Sequence, residues 1–277
     1  MNDTDPLARL QRIGLHPRLR AHWHELNTAG TDARPHRITE VQRDSVQLHG
    51  GSAETRARVR PALHAALDAD GDALAVGDWV LADRNDFGEW WVHTRLPPLN
   101  QLARRLHDGR DKVERVVIVS NVDTALLVMG LDLDFNLRRL ERYLALVRLA
   151  GIDAVVVLTK ADLCADIGPR LAAVQRLLPP GAAAIAVDAR DPALARQLQP
   201  WAGPGRTLVA IGSSGAGKST LTNTLVGADV QAIGAARAGD GRGRHTTTTR
   251  CLHLTPGGAC LIDTPGLRTL RLDGETG

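Results

Sequence analysis

Short runs of alternating apolar and polar residues dominate the first hundred residues of the chain. Residues 1–33 instead carry apolar side chains at roughly helical spacing, which predicts a helical lead-in. Residues 34–100 predict five short strands with no long helix between them, namely 36–41, 45–51, 54–61, 77–83 and 89–96. This pattern favours a small all-β barrel of the OB type, although an SH3-like barrel would have a similar pattern.

The pattern changes near Val116, where continuous apolar runs begin to alternate with segments of helical spacing. Such runs are typical of strands that are buried on both faces of a parallel sheet. We therefore expect an α/β domain over residues 116–277, joined to the barrel by a basic linker over residues 101–115. The strands predicted for this domain are 124–129, 154–159, 183–187, 207–211, 250–255 and 259–263, and the helices are 136–150, 168–178, 193–201 and 218–225.

The composition fits two modest globular domains, with 277 residues of which 43% are hydrophobic and 23% charged. No apolar run approaches the roughly 18 residues that a membrane span needs, and the polar amino-terminal residues lack the apolar core of a signal peptide. Cys164, Cys251 and Cys260 are too few for a disulfide framework, and the spacing of the last two matches no recognised zinc pattern. These features predict a cytoplasmic protein.

The charge permits a polyanionic partner without requiring one, since the formal net charge is +3 and the pI is near 9.0. The cations are 31 Arg and three Lys, which are Lys112, Lys160 and Lys218. A lysine is expected to persist where the wide fork of a guanidinium does not fit, so each lysine is a candidate site residue. Two of them lie inside motifs that are typical of nucleotide sites.

The clearest motif follows the apolar run 207–211 and fits the P-loop pattern G-x-x-x-x-G-K-[ST]. Its glycines allow successive backbone N–H groups and a helix N-terminus to face phosphates. Lys218 is predicted to reach the β- and γ-phosphates, and Ser219 to bind Mg2+. The nucleotide-binding residues predicted for this segment are Gly212, Ser213, Ser214, Gly215, Ala216, Gly217, Lys218, Ser219 and Thr220.

Two further motifs end buried apolar runs. Asp263 begins a D-T-P-G segment and fits an acid that holds Mg2+, with the N–H of Gly266 facing the γ-phosphate, although D-T-P-G alone would usually be an ordinary turn. The segment Thr159-Lys160-Ala161-Asp162 matches the [NT]-K-x-D guanine motif. Its carboxylate accepts the ring N–H and the exocyclic amine that guanine offers and adenine does not.

The order of these motifs indicates a circularly permuted GTPase. Ordinary small GTPases begin with the P-loop, whereas here the guanine motif precedes it by about 50 residues. Asp188 and Ala189 occupy the place of the short base-contacting S-A loop, with Asp where Ser is usual. A polar, glycine-flanked segment over 241–249 contains His245 and Thr248 and predicts a switch that orders around the γ-phosphate.

The predicted barrel also carries candidate groups for RNA. Arg56, Arg58 and Arg60 alternate on one strand and so share a face, while another strand carries Trp90, Trp91 and His93. The arginines could equally form a solvated strand face, and Trp91 could belong to the barrel core.

Taken with their order, these motifs are similar to those of the RsgA (YjeQ) family of ribosome small-subunit-dependent GTPases. The matching segments are 77–80, 96–105, 121–128, 135–146, 159–163, 212–220, 243–248 and 263–266. The resemblance implies an OB domain before a permuted P-loop GTPase domain, and Mg2+-dependent hydrolysis of GTP to GDP. It implies stimulation by the small ribosomal subunit and its rRNA during late maturation, by a protein expected to be a monomer without a membrane partner. On this reading the catalytic residues are Lys218, His245, Thr248 and Gly266, and the Mg2+ ligands are Ser219, Thr248 and Asp263.

The chain departs from the family pattern in two places. The family normally continues into a helix and a zinc domain, whereas this sequence stops at Gly277, so its zinc ligands are expected to be absent and the sequence is either a fragment or a shortened paralogue. Leu267 stands where Ras-type enzymes carry the glutamine that positions water, which predicts low intrinsic turnover. We hypothesise that His245 supplies the water contact on the ribosome.

Three alternative functions stay open at this point. One is a permuted GTPase of large-subunit assembly, which the barrel placed before the GTPase domain disfavours. Another is an rRNA scaffold that binds guanine nucleotide with little or no hydrolysis. A small-molecule P-loop kinase is a third, which the guanine motif disfavours.

Overall fold

The computed structural model describes residues 5–26, 33–107, 113–227 and 250–264, and these residues fall into two compact units that meet between Val122 and Asp123. Within the described residues, no helix has the length and apolar character needed to cross a lipid bilayer.

Two short helices open the first unit, where the apolar spacing predicts them. They are α1 (Pro6–Arg12) and α2 (Pro17–Leu26). The Asp5 carboxylate caps α1 by accepting the N–H of Leu7 at 3.0 Å, and a proline at the first helical position has no N–H to satisfy. Both helices bury leucines, Leu10 and Leu19, on their inner faces.

The predicted barrel is present, and its five strands close on themselves. The strands are β1 (Arg34–Val41), β2 (Val46–His49), β3 (Glu54–Val59), β4 (Trp79–Arg84) and β5 (Trp90–Arg95). β1 pairs with β2, β2 with β3, β3 in parallel with β5, β5 with β4, and β4 again with β1. Ile38 on β1, Leu48 on β2 and Val92 on β5 belong to the apolar core of the barrel, which is OB-like.

One helix of the barrel unit, α3 (Pro61–Ala69), follows β3 and was not expected from the sequence. Pro61 stands at its first position, where the fixed φ of proline suits a helix start. The segment carries apolar residues on one side, of which Leu67 is buried. Its length of nine residues is below what a strong helical pattern needs to stand out.

The predicted basic linker over 101–115 is wrong for the residues that the structure describes, because 101–107 and 113–115 lie in two paired strands. β6 (Gln101–His107) pairs antiparallel with β7 (Val113–Ser120). Leu102 and Val119 are fully buried, and Arg104 and Arg115 belong to the two paired strands rather than to a solvated connection. Within the same unit, the side chain of the fully buried Arg37 donates to the backbone oxygens of Ile13 and Asn121.

The second unit is the α/β layer structure that the apolar runs predict. Its strands are β8 (Thr124–Gly130), β9 (Asp153–Thr159), β10 (Ala183–Ala186), β11 (Thr207–Ile211), β12 (Cys251–Leu254) and β13 (Cys260–Asp263). Its helices are α4 (Leu137–Leu149), α5 (Ile167–Gln175), α6 (Leu194–Leu198) and α7 (Lys218–Val226). The helices α5 and α6 are both shorter than predicted.

The strand order of this unit places β11 inside the sheet. The order is β10-β9-β8-β11-β13-β12, with the first five strands parallel and β12 antiparallel to β13. Every residue of β11 is buried, as expected for a strand covered on both faces. Ligands bind such sheets beyond the carboxyl ends of the strands, so the ends of β8, β9, β11 and β13 mark the place to search for a site.

Candidate functional site

The loop after β11 needs glycine at two positions for different reasons. A Cβ on Gly212 would lie 2.2 Å from the backbone oxygen of Val128 on β8, so any side chain would force the strands apart. Gly217 has a φ of +93°, which other residues rarely adopt, and its added Cβ would lie 3.1 Å from Thr159 Oγ1. The loop therefore curls closely against its neighbours and then enters α7.

Lys218, the first residue of α7, is folded back into this loop. Its ammonium group donates to the backbone oxygen of Ser213 at 2.6 Å, and the residue is 9% exposed. Burial lowers the pKa of Lys218, while the negative charges of Asp263 and Asp134 act in the opposite direction. The lysine thus lies at the carboxyl edge of the sheet, where the charges of two carboxylates favour its protonated form.

Asp263 ends β13 and is 7% exposed. It is paired with Ala210 of β11, so the predicted acid lies beside the strand that precedes the P-loop. The hydroxyl of the next residue, Thr264, donates to the backbone oxygen of Ala210 at 2.5 Å and fixes the end of β13 to β11. Ser219 and Thr220 are exposed in the first turn of α7, and Ser214 and Gly215 are exposed at the tip of the loop.

The predicted guanine motif is tied directly to the P-loop. Thr159, the last residue of β9, donates its hydroxyl to the backbone oxygen of Ala216 at 2.6 Å. Lys160 has left-handed backbone angles, with a φ of 60°, and its ammonium group donates to the Asp132 carboxylate at 2.5 Å. This hydrogen bond is the main reason why the pKa of Asp132 is lowered. Ala161–Leu163 then form a single 3-10 turn.

The third predicted segment lies against this turn. The N–H of Ala161 donates to the backbone oxygen of Val187 at 3.2 Å, which brings Asp188 close to the guanine motif. The backbone oxygen of Ala189 accepts the Thr224 hydroxyl at 2.7 Å, so the segment is also attached to α7. The structure therefore brings together three motifs that are separated by tens of residues in the sequence.

More than half of the chain matches a protein family model. The RsgA GTPase family model matches residues 97–273. A relative from Xylella fastidiosa (strain 9a5c), named small ribosomal subunit biogenesis GTPase RsgA, is 42% identical over 256 residues, which are 92% of this chain and 73% of the relative. A relative of the same name from Xanthomonas axonopodis pv. citri (strain 306) is 42% identical over 280 residues, covering 99% of this chain and 75% of the relative. The chain belongs to the RsgA GTPase family.

Solved structures agree with the fold of an RsgA GTPase. The crystal structure of YjeQ from Thermotoga maritima aligns with a TM-score of 0.61 at 20% identity, over 87% of this chain and 77% of that chain. The crystal structure of YloQ, described as a circularly permuted GTPase, aligns with a TM-score of 0.56 at 20% identity, over 88% and 75% of the two chains. The predictions of a permuted GTPase fold and of a hydrolase acting on GTP are confirmed.

Three side chains that contact the predicted site residues were not singled out from the sequence. Asp134, in the loop after β8, accepts the Ser213 hydroxyl, the N–H of Gly130 at 3.0 Å and the Arg139 guanidinium at 2.6 Å. Asp132 holds Lys160 as described above, and Arg190 pairs with Asp162 at 2.6 Å. A signal for the two carboxylates existed, since they directly follow a buried parallel strand. No sequence signal distinguished Arg190 from the other arginines of the chain.

Other predicted site residues lie outside the described residues. These are His245, Thr248 and Gly266, together with Leu267 and the rest of the predicted switch segment. Their roles stay predictions.

The barrel of this RsgA GTPase carries a cationic and aromatic outer surface. Arg56, Arg58 and Arg60 are exposed along one side of the β3 segment, as predicted. The guanidinium carbons of Arg58 and Arg60 lie 5.9 and 5.5 Å from the ring centroid of Trp91. We call Arg58, Arg60 and Trp91 the arginine-tryptophan face. Trp90, not Trp91, packs against the barrel core, which decides between the two readings of Trp91.

Proposed function

We propose that this RsgA GTPase acts in late maturation of the small ribosomal subunit, which stimulates its hydrolysis of GTP. The observation that carries this proposal is the joining of the guanine motif to the P-loop through Thr159 and Ala216. The partner is taken from the names of the relatives, which are small ribosomal subunit biogenesis GTPases. A cytoplasmic monomer is part of the same proposal.

Asp162 would select the base. Its carboxylate lies in a turn at the carboxyl end of β9 and is within reach of solvent, with 26% of the side chain exposed. A carboxylate accepts both donors on the guanine edge, whereas adenine would leave it without a partner. Lys160 and Thr159 hold this turn, through Asp132 and the P-loop respectively.

The P-loop would hold the phosphates. The glycines leave the backbone N–H groups of the loop and the start of α7 free of side-chain cover, and the helix N-terminus favours negative charge. Lys218 would exchange the Ser213 oxygen for phosphate oxygens, which are stronger, charged acceptors.

The residues present suit Mg2+, because Ser219 and Asp263 offer hard oxygen donors at the edge where the phosphates would lie. When bound, this ion neutralises charge on the phosphates. Thr248 is proposed as a further ligand, Gly266 as a donor to the γ-phosphate, and His245 as the residue that orients water. Lys218 supplies positive charge in a mostly buried position, where it acts more strongly than in water.

The arginine-tryptophan face would contact rRNA. Guanidinium groups neutralise phosphates, and an accessible indole ring gives a base a surface on which to stack. Arg58 and Arg60 lie over the same ring, so the two interactions are available at one place.

The test is phosphate release at multiple turnover from GTP and from ATP, with and without purified small ribosomal subunits. We expect the subunits to stimulate release from GTP and not from ATP. Tight GDP binding without any stimulated release would instead support the rRNA scaffold and overturn the proposal.

A further inference from the structure

The carboxylate proposed to select guanine already has a partner within the chain. The guanidinium of Arg190 donates to Asp162 Oδ2 at 2.6 Å. Its Nε donates to Asp188 Oδ1 at 3.2 Å, and the Arg190 backbone N–H donates to the same oxygen at 2.9 Å. Asp188 therefore fixes both the backbone and the side chain of Arg190 so that the guanidinium points at Asp162.

The chemistry of this pair matches that of the base. A guanidinium presents planar N–H donors, and the guanine edge presents a ring N–H beside an amino group in the same plane. Both are suited to a single carboxylate. We propose that Arg190 is an internal competitor for the guanine site, which occupies Asp162 until a guanine nucleotide displaces it. This inference rests on the proposed function, since it takes Asp162 as the acceptor of the guanine edge.

The pair is placed to be displaced easily. The Arg190 side chain is 67% exposed, and exposed ion pairs are weak and screened by salt. After displacement, the hydrogen bonds to Asp188 would keep Arg190 near the site. The ion pair between Arg190 and Asp162 is therefore expected to weaken guanine nucleotide binding by only about two- to fivefold at low salt.

Two possible roles of Arg190, competing with the base and contacting the bound nucleotide, predict opposite changes in the Kd. An arginine that contacts the bound nucleotide would strengthen binding, so its removal would raise the Kd. An arginine that competes with the base weakens binding, so its removal lowers the Kd. Because the Arg190 side chain is exposed, we expect its removal to leave the fold intact.

The test is calorimetric titration of GDP into the full chain, into Arg190→Ala and into a matched control, Arg196→Ala. Arg196 is an exposed arginine on α6 of the same unit, so its removal changes the net charge equally. We expect Arg190→Ala to lower the Kd about two- to fivefold and Arg196→Ala to leave it unchanged. The gain should shrink towards none as NaCl rises from about 50 to about 500 mM, because salt screens the competing pair.

A Kd for Arg190→Ala that equals or exceeds that of the unmodified chain overturns the inference, as does a gain that does not depend on salt. The variant Asp162→Asn separates this failure from failure of the proposed function. If Asp162→Asn binds GDP as tightly as the unmodified chain, or if none of the proteins binds GDP, the assignment of the base site is wrong and the inference falls with it. If Asp162→Asn alone loses GDP, the base site stands and the Arg190 result decides the inference.

Discussion

The ammonium group of Lys218 donates a hydrogen bond to the backbone oxygen of Ser213, 2.6 Å away within the same loop. The loop thus supplies its own lysine with an acceptor, and in the proposed function a phosphate takes the place of this acceptor. Because this acceptor is neutral, a phosphate oxygen is the better partner for the charge.

Replacing this lysine should therefore remove affinity for GTP with little effect on the fold. We expect Lys218→Ala to raise the Kd for GTP roughly 10- to 150-fold, since hydrogen bonds to charged groups contribute about 1.5–3 kcal/mol. Lys218→Arg should bind GTP almost as weakly as Lys218→Ala, because the guanidinium is too wide for the loop. Titration calorimetry measures both, with Arg206→Ala as the control at an exposed cation of the same unit. A Kd within twofold of the unmodified chain would contradict the assignment.

Alanine at Gly212 and alanine at Gly215 should lower the free energy of unfolding by different amounts. An added Cβ at Gly212 meets the backbone of Val128 at 2.2 Å, whereas one at Gly215 meets nothing within 4 Å but keeps a φ of +82°. We expect Gly212→Ala to lower the free energy of unfolding by more than about 2 kcal/mol, and Gly215→Ala by about 1 kcal/mol. Urea denaturation compares the two directly. Equal losses of unfolding free energy in the two variants would contradict the close approach of the loop to β8.

The buried carboxyl of Asp78 should make the barrel unit sensitive to pH. Burial raises the pKa of Asp78 to about 6, although its Oδ2 accepts the Ala75 N–H at 2.9 Å. The native state therefore binds more protons than the unfolded state between about pH 4 and pH 6, so its stability falls as the pH rises through this range. With about two pH units separating the two pKa values, the loss approaches 3 kcal/mol.

Asp78→Asn removes this titration. We expect the unmodified chain to lose stability relative to Asp78→Asn as the pH rises, when both are denatured with urea at several pH values between about 4.5 and 7. Asp44→Asn, at an exposed position of the same unit, controls for the loss of one charge. A difference between the unmodified chain and Asp78→Asn that stays constant with pH would contradict the prediction.

Much of this architecture could be predicted because burial leaves a periodic signal. The run ending at Thr159 and the run ending at Ile211 are continuous and apolar, so strands β9 and β11 were expected close to their observed positions. The strand pair β6 and β7 was missed because Arg104, Arg105 and Arg115 lie close together in the sequence, and such a charge-rich stretch resembles a solvated segment.

The polar contacts of the site could not be predicted in the same way. Asp132 meets Lys160, and Asp162 meets Arg190, across 28 residues in each case. Such pairs depend on how loops from neighbouring strands approach each other, and neither hydrophobic periodicity nor motif spacing encodes that approach. The motifs indicated which chemistry to expect, while the sheet order determined which side chains surround it.

The arginine-tryptophan face should decide binding to rRNA. Trp91→Ala is expected to weaken rRNA binding by about 1–3 kcal/mol for each base that stacks on the ring. Arg58→Ala and Arg60→Ala are each expected to reduce the steepness of the plot of log association constant against log salt concentration by about one. Arg43→Ala, at an exposed position of the same unit, is the matched control. Filter binding to small-subunit rRNA over a range of salt measures all four. Unchanged slopes and affinities would place the rRNA contact elsewhere.

The most direct test of the central claim compares the two ribosomal subunits as activators in one assay. Phosphate release from GTP is measured at multiple turnover with the full chain alone, with small subunits and with large subunits, using Lys218→Ala as the inactive control. Strong stimulation by small subunits, with little by large subunits, is the result that our account predicts. Equal stimulation by both, or stimulation by large subunits alone, would contradict it.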